Sequence, residues 1–188
     1  MMVKVCGVTT LEDALAAATA GADAIGFNFC KSSPRYLTPE DAARIGERLP
    51  GNVRRVGVFL GSNEEEIETA MRVSGCDVAQ IHGGEQPRFD HVWRAIHAGG
   101  AVDESDAAEA FLFDAAQPGS GKTFDWTKIP STRKNVILAG GLDASNVAAA
   151  IRAVKPWGVD AASRLESSPG RKDADKVREF VRQAKSAL

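Results

Sequence analysis

Three side chains in this sequence could carry chemistry: the Cys6 thiol, the Asp114 carboxyl and, more weakly since most loop arginines are merely solvated, the Arg35 guanidinium. Cys6 sits in Val3-Lys4-Val5-Cys6-Gly7, where strand alternation puts Lys4 and Cys6 on one face. An ammonium beside a sulfur favours thiolate over thiol, so the pair could furnish a base, while a cysteine taken alone also reads as a small buried hydrophobe. Asp114 closes the run Phe111-Leu112-Phe113. An unpaired carboxylate beside such a run costs several kcal/mol, so it must be solvated, paired or in use. Arg35, in Ser32-Ser33-Pro34-Arg35-Tyr36, could grip a carboxylate through two parallel hydrogen bonds. His82 ends Gln80-Ile81-His82 with both polar side chains on one face; it lacks companions for a metal and suits a hydrogen bond to a substrate.

The elements that must position these groups follow from composition and period. A chain of 188 residues, 44% hydrophobic, can build one sizeable core and is too short for two ordinary domains, so a single domain over 1–188 is expected. Lys and Arg number 23 against 25 Asp and Glu, with no run of either sign, which speaks against a nucleic-acid partner. No stretch approaches the ~18 apolar residues of a membrane helix, and Met1-Met2-Val3-Lys4-Val5 is not a basic-then-apolar leader, so a cytoplasmic protein is expected. Cys6, Cys30 and Cys76 are odd in number and lack CxxC spacing, which argues against a disulfide framework and against structural zinc.

Short segments rich in Val, Ile and Phe alternate with segments of helical period, the pattern of βαβ units on a parallel sheet. The strands read as Val3 to Val8, Asp23 to Phe29, Val53 to Leu60, Val78 to His82, Val92 to His97, Ala110 to Ala115, Asn135 to Ala139 and Gly158 to Ala162. Helices open at Thr10, at Thr38-Pro39-Glu40-Asp41 and at Asn63-Glu64-Glu65-Glu66, and a last one runs from about Asp173 to Ala187. Eight units favour a closed (β/α)8 TIM barrel over an open doubly wound sheet. The barrel is short, since about 200 residues is already lean for this fold. The shortage falls between His82 and Ala110, so the fourth and fifth helices are expected to be cut down or absent.

In such a barrel chemistry sits at the carboxyl ends of the strands, which here carry Cys6, Asn28, Gln80, His82, His97, Asp114, Gly140-Gly141 and Ser163. Gly119-Ser120-Gly121 before the seventh strand, Gly140-Gly141 after it and Ser163 after the eighth could turn backbone N–H groups onto a phosphate, though glycines also serve tight turns. The Gly119-Ser120-Gly121-Lys122-Thr123 segment lacks the earlier glycine of a Walker A loop, so ATP is not indicated.

The segments Val3-Lys4-Val5-Cys6-Gly7-Val8-Thr9, Gly26-Phe27-Asn28-Phe29, Ser33-Pro34-Arg35-Tyr36-Leu37, Val56-Gly57-Val58-Phe59, Gln80-Ile81-His82-Gly83, Leu112-Phe113-Asp114, Gly119 to Trp126, Leu138-Ala139-Gly140-Gly141-Leu142 and Pro169-Gly170-Arg171-Lys172-Asp173 stand in one order along nearly the whole chain. Together they resemble the phosphoribosylanthranilate isomerase family. The resemblance implies a TIM barrel that converts N-(5-phosphoribosyl)anthranilate to its 1-deoxyribulose 5-phosphate isomer by an Amadori rearrangement, without metal or organic cofactor. It also implies that Cys6 is the general base, Asp114 the general acid, and Arg35 the residue that engages the anthranilate carboxylate. Burial beside Phe111 and Phe113, or the negative charges of the substrate, is expected to help Asp114 keep its proton. Where the family commonly has Ser-Ser-Gly-Val-Glu after the eighth strand, this chain has Ala162-Ser163-Arg164-Leu165-Glu166. Arg164 thus replaces a glycine beside the expected phosphate, and a cation itself suits that ligand.

Two other readings stand beside this one. The related barrel isomerase of histidine synthesis, or a dual-substrate form, would resemble a design with Asp as first-strand base and two opposed phosphate sites, against which Cys6 argues. A non-catalytic remnant acting as a binding module is the other, against which the intact set of Cys6, Asp114 and Arg35 argues. The missing helices would leave Phe89, Val92, Trp93 and Ile96 as an apolar patch. A homodimer could seal it, a monomer could cover it with a shortened helix from Pro87 onward, or segments could be missing from the sequence; the last is favoured, because Gly99-Gly100-Ala101 and Ala115-Gln117-Pro118 read like joins where loop or helix residues would normally lie.

Overall fold

Eight short strands run parallel, and each hydrogen-bonds to the next until the last closes on the first. The computed structural model describes residues 1–84, 89–97, 99–114 and 125–187. The strands are β1 (Met2–Cys6), β2 (Ala24–Asn28), β3 (Arg54–Leu60), β4 (Val78–His82), β5 (Val92–His97), β6 (Ala110–Asp114), β7 (Asn135–Leu138) and β8 (Gly158–Ala161). The TIM barrel expected from the unit count is therefore the fold. Strand ends agree with those read from the sequence to within two residues: β4 and β5 coincide, most others differ by one, and β1 begins one residue earlier and ends two residues sooner. At β1 the reason is Gly7, whose φ of 71° leaves the extended region and makes Cys6 the final residue of its strand.

The inner face is set by alternation. Met2, Cys6, Ala24, Val56, Val58, Val78, Trp93, Ala110, Leu112, Ile137 and Ala139 pack together inside the barrel. The outer faces of β1, β2 and β8 pack against helices α1 (Leu11–Thr19), α2 (Pro39–Gly46), α4 (Val147–Val154) and α5 (Ala174–Ser186), where Val3, Val5, Ile25, Phe27, Val159 and Phe180 are buried. Helix starts follow their caps: Thr10 and Thr38 accept from Asp13 N–H and Asp41 N–H, and Asn63 with Glu66 makes a reciprocal capping box on α3 (Glu64–Ser74).

The shortage lies where the sequence puts it and extends further. Among the described residues neither 83–91 nor 98–109 contains a helix, and the connection from β6 to β7 holds one 3-10 turn, Trp126–Lys128. Loop side chains do the covering. Phe89 packs against the cluster that holds Ala79, Ile81 and Val92, while Ile96, Val102 and Ile129 pack against the cluster of Ala108, Phe111 and Phe113. The expected patch is corrected at two positions: Val92 is buried, and Trp93 points into the barrel, with Trp157 against its ring edge at 6.0 Å and the Arg54 guanidinium 5.4 Å from its centroid. Pro87, Ala98 and Ala115 to Phe124, with Gly119-Ser120-Gly121, lie outside the described residues.

Candidate active site

A cavity of ≈ 260 Å³ opens at the carboxyl ends of the strands. Its lining includes Cys6 from β1, Asn28 from β2, Gln80 and His82 from β4, Asp114 from β6, Asp160 from β8, and Arg35 from the loop after β2. Four of the residues singled out in the sequence, Cys6, Arg35, His82 and Asp114, are thus brought together. Gly140, Gly141, Ser163 and Arg164 do not line this cavity.

Local backbone explains the placements. Asn28 accepts from Cys30 N–H through Oδ1 at 2.8 Å, and Leu37 N–H returns to Asn28 O at 2.9 Å, which folds the loop carrying Arg35 back over the mouth. The Arg35 stem then crosses Gly7, where a Cβ would fall 2.4 Å from Arg35 Cδ. Arg35 Nε and Nη2 donate to the two carboxylate oxygens of Glu166 at 2.7 and 2.8 Å. Lys172 Nζ donates to Glu166 Oε1 and to Ala162 O, both at 3.0 Å. Asp114 shares the inner face with Ala110 and Leu112, so Phe111 and Phe113 point to the opposite side of β6, and the expectation that those rings bury its carboxyl is corrected. Register sets His97 beside Asp114.

Beneath the cavity a buried ion pair spans the seam of the barrel. Lys4, fully buried, donates from Nζ to Asp160 Oδ1 at 3.0 Å, and the two residues are register partners on β1 and β8. Burial pulls the Lys4 ammonium down, yet the Asp160 carboxylate and the Cys6 sulfur raise it above its ordinary value. The Cys6 thiol is pushed up. Burial is the largest cause, the Lys4 ammonium opposes it, and the Asp160 carboxylate reinforces it. The expectation that Lys4 tips Cys6 toward thiolate is therefore corrected: desolvation outweighs the ammonium, and Asp160 offsets part of the lysine's field. Burial, with Lys4 and His97 nearby, lowers His82 to about 4, so its imidazole is neutral near pH 7 and acts through hydrogen bonds. Its Nε2 lies 2.8 Å from Gln80 Nε2; Gln80 Oε1 is buried with no partner among the described residues.

The glycines after β7 have consecutive left-handed φ values of 84° at Gly140 and 63° at Gly141, which only glycine adopts without strain. Ser163 starts a 3-10 turn, Ser163–Leu165, after β8. Arg164 is turned to the side, where its Nη1 donates to Asp143 Oδ2 at 2.5 Å. Sequence reasoning missed Asp160, Glu166 and Lys172 as members of the site. For Asp160 a signal existed, because the alternation of Gly158-Val159-Asp160-Ala161 turns that carboxylate inward. Among the described residues no group of three His, Cys, Asp or Glu is placed to hold a metal ion.

The chain is similar in sequence and in fold to known proteins. The family model for N-(5'-phosphoribosyl)anthranilate (PRA) isomerase matches residues 3–183. The N-(5'-phosphoribosyl)anthranilate isomerase of Solibacter usitatus is 46% identical over 200 residues, covering 100% of this chain and 99% of that protein. The alignment is longer than this chain, so the relative carries residues with no counterpart here. The crystal structure of phosphoribosyl anthranilate isomerase from Thermus thermophilus superposes with a TM-score of 0.92 at 38% identity, covering 100% of both chains. A phosphoribosyl anthranilate isomerase solved in complex with reduced 1-(o-carboxyphenylamino)-1-deoxyribulose 5-phosphate gives a TM-score of 0.80 at 34% identity, covering 98% of each chain.

Proposed function

The chain belongs to the N-(5'-phosphoribosyl)anthranilate isomerase family, and from that premise we propose that Cys6 and Asp114 are the base and acid of its reaction. The enzyme isomerises N-(5'-phosphoribosyl)anthranilate to 1-(2-carboxyphenylamino)-1-deoxyribulose 5-phosphate in tryptophan biosynthesis. The observation that supports the assignment is the shared cavity at the strand ends, lined by both a thiol on β1 and a carboxyl on β6.

The reaction needs a proton delivered and a proton removed. Asp114 donates to the furanose ring oxygen, the C1–O bond breaks, and the aryl nitrogen's lone pair forms the Schiff base. The Cys6 thiolate takes the C2 proton, leaving an enolamine. Protonation at C1 and loss of the hydroxyl proton at C2 give the ketone. Arg35 binds the anthranilate carboxylate, and His82, neutral, hydrogen-bonds the ribose chain. Backbone N–H groups at Gly140, Gly141 and Ser163 hold the 5-phosphate, and Arg164 borders that site. The phosphorylated substrate is the small-molecule partner. Three free thiols suit a reducing cytoplasm, where we place the enzyme; among the described residues no helix is long and apolar enough to cross a membrane.

The test is turnover of phosphoribosylanthranilate by this chain and by two variants. Cys6→Ala and Asp114→Asn are expected to lower kcat by at least ~100-fold with a much smaller change in KM. Near-native kcat in either variant removes that residue from its role.

A further inference from the structure

We propose that Lys4 is the positioning residue for the reaction's base: its ammonium, fixed by Asp160, is the counter-charge against which the Cys6 thiolate forms. The proposal rests on Cys6 being the base.

Geometry brings the three groups to one place. Lys4 and Cys6 lie two residues apart on the inner face of β1, and Lys4 Nζ is 3.0 Å from Asp160 Oδ1. A Cβ at Gly26 on β2 would fall 2.7 Å from Cys6 Sγ and 3.2 Å from Lys4 Cε, so sulfur and lysine stem converge on the niche that glycine leaves open. The Lys4 ammonium and the Cys6 sulfur are close enough for each to act on the other's charge. A buried Lys–Asp pair adds little to stability over apolar packing, so a purely structural account leaves its placement against a reactive sulfur unexplained.

The surrounding charges have a definite sum. Acting on Cys6 are Lys4 on β1, Asp160 on β8, Arg35 after β2 and Lys172 on the small hairpin β9 (Glu166–Ser168) and β10 (Arg171–Lys172), whose Glu166 pairs with both Arg35 and Lys172. His82 on β4 is neutral near pH 7, and Asp114 on β6, which lines the same cavity with His97 of β5 as its register partner, enters the reaction as a protonated, uncharged acid. The ion pairs are Lys4–Asp160 and Arg35–Glu166–Lys172, three cations against two carboxylates. One positive charge is in surplus, and a Cys6 thiolate matches it. The thiol proton leaves to solvent through the open cavity; the thiolate later takes the C2 proton and, as thiol, can return it to C1, which regenerates the thiolate.

Opposite substitutions then act with opposite sign. The thiolate is titrated by its ultraviolet absorbance in substrate-free enzyme, taken as the difference from Cys6→Ser, and compared with the acid limb of kcat/KM. Lys4→Met is expected to move both midpoints up by at least about one pH unit, and Asp160→Asn to move both down. Lys4→Gln, which keeps a donor for Asp160, gives the upward shift should Lys4→Met fold poorly, and Lys4→Arg stays near the parent. Midpoints unmoved by loss of the charge, with only yield or melting temperature affected, overturn the proposal. A thiolate titration that shifts while the acid limb stays fixed overturns it through its premise, because Cys6 would then not be the base.

Discussion

The guanidinium of Arg35 and the carboxylate of Glu166 form a two-pronged ion pair, 2.7 Å at Nε and 2.8 Å at Nη2, between the loop after β2 and the segment after β8. Both side chains are mostly buried, and Lys172 holds the same carboxylate from its other side. The pair therefore fixes the plane of the guanidinium before any ligand arrives, so less of its freedom is lost on binding. Arg35→Ala should raise KM about ten- to a hundred-fold, the equivalent of the ~1.5–3 kcal/mol of a charge-assisted hydrogen bond, with a smaller effect on kcat. The comparison that checks it is binding of an analogue without the anthranilate carboxylate, which should lose nothing. Equal losses for both ligands would mean that the carboxylate binds elsewhere.

The same pair sets a pH dependence of stability. Burial pushes the Glu166 carboxyl up, but hydrogen bonds from Arg35 and the charge of Lys172 more than offset it, so its folded-state pKa lies below the usual 4.5. A depressed carboxyl contributes stability that is present above its unfolded pKa and is lost as pH falls through the folded value. Melting temperature should therefore fall as pH drops below about 4.5, and fall less steeply in Glu166→Gln. Parallel slopes for the two proteins in scanning calorimetry would show that the acid loss arises at other carboxylates.

Much of this was legible in the sequence and some was not, for one physical reason. Thr10, Thr38 and Asn63 act on backbone N–H groups three residues away, so their caps could be read locally, as could the eight apolar segments. Cys6, Asp114 and His82 could be placed at the mouth because strand ends and alternation are local too. Lys4 and Asp160 are 156 positions apart and Arg35 and Glu166 131, and such partners are fixed only once the register of the closed barrel is set. Trp93 shows the same limit: alternation alone does not say which face of β5 is inside, and the ring that the sequence assigned to an outer patch fills the barrel interior.

Inorganic phosphate should inhibit competitively with substrate, by occupying the mouth between Gly140-Gly141 and Ser163. Arg164, next in the chain to Ser163, is paired with Asp143, and both side chains are partly exposed. A pair of that exposure is worth ~0–1 kcal/mol, so Arg164→Gly should change the inhibition constant by no more than about fivefold. A loss well beyond that in steady-state inhibition would mean that the guanidinium leaves Asp143 and binds the phosphate directly.

The side of the barrel without helices decides the oligomeric state. Soluble proteins seldom expose a broad apolar patch, and a strand stripped of its helix would ordinarily present one. Here Val92, Phe111 and Phe113 are buried by residues of the same chain, and among the described residues Leu60 is the one large hydrophobic side chain left exposed. Leu60 lines the mouth of the cavity, away from the outer wall of β5 and β6. No second copy is needed to cover that wall, so sedimentation velocity should give a single species at the chain mass of 19.9 kDa. Val102→Asp removes part of the cover over Phe111 and Phe113 and should lower the melting temperature without producing a defined dimer. A parent protein that sediments as a dimer at micromolar concentration would mean that the loops alone do not suffice.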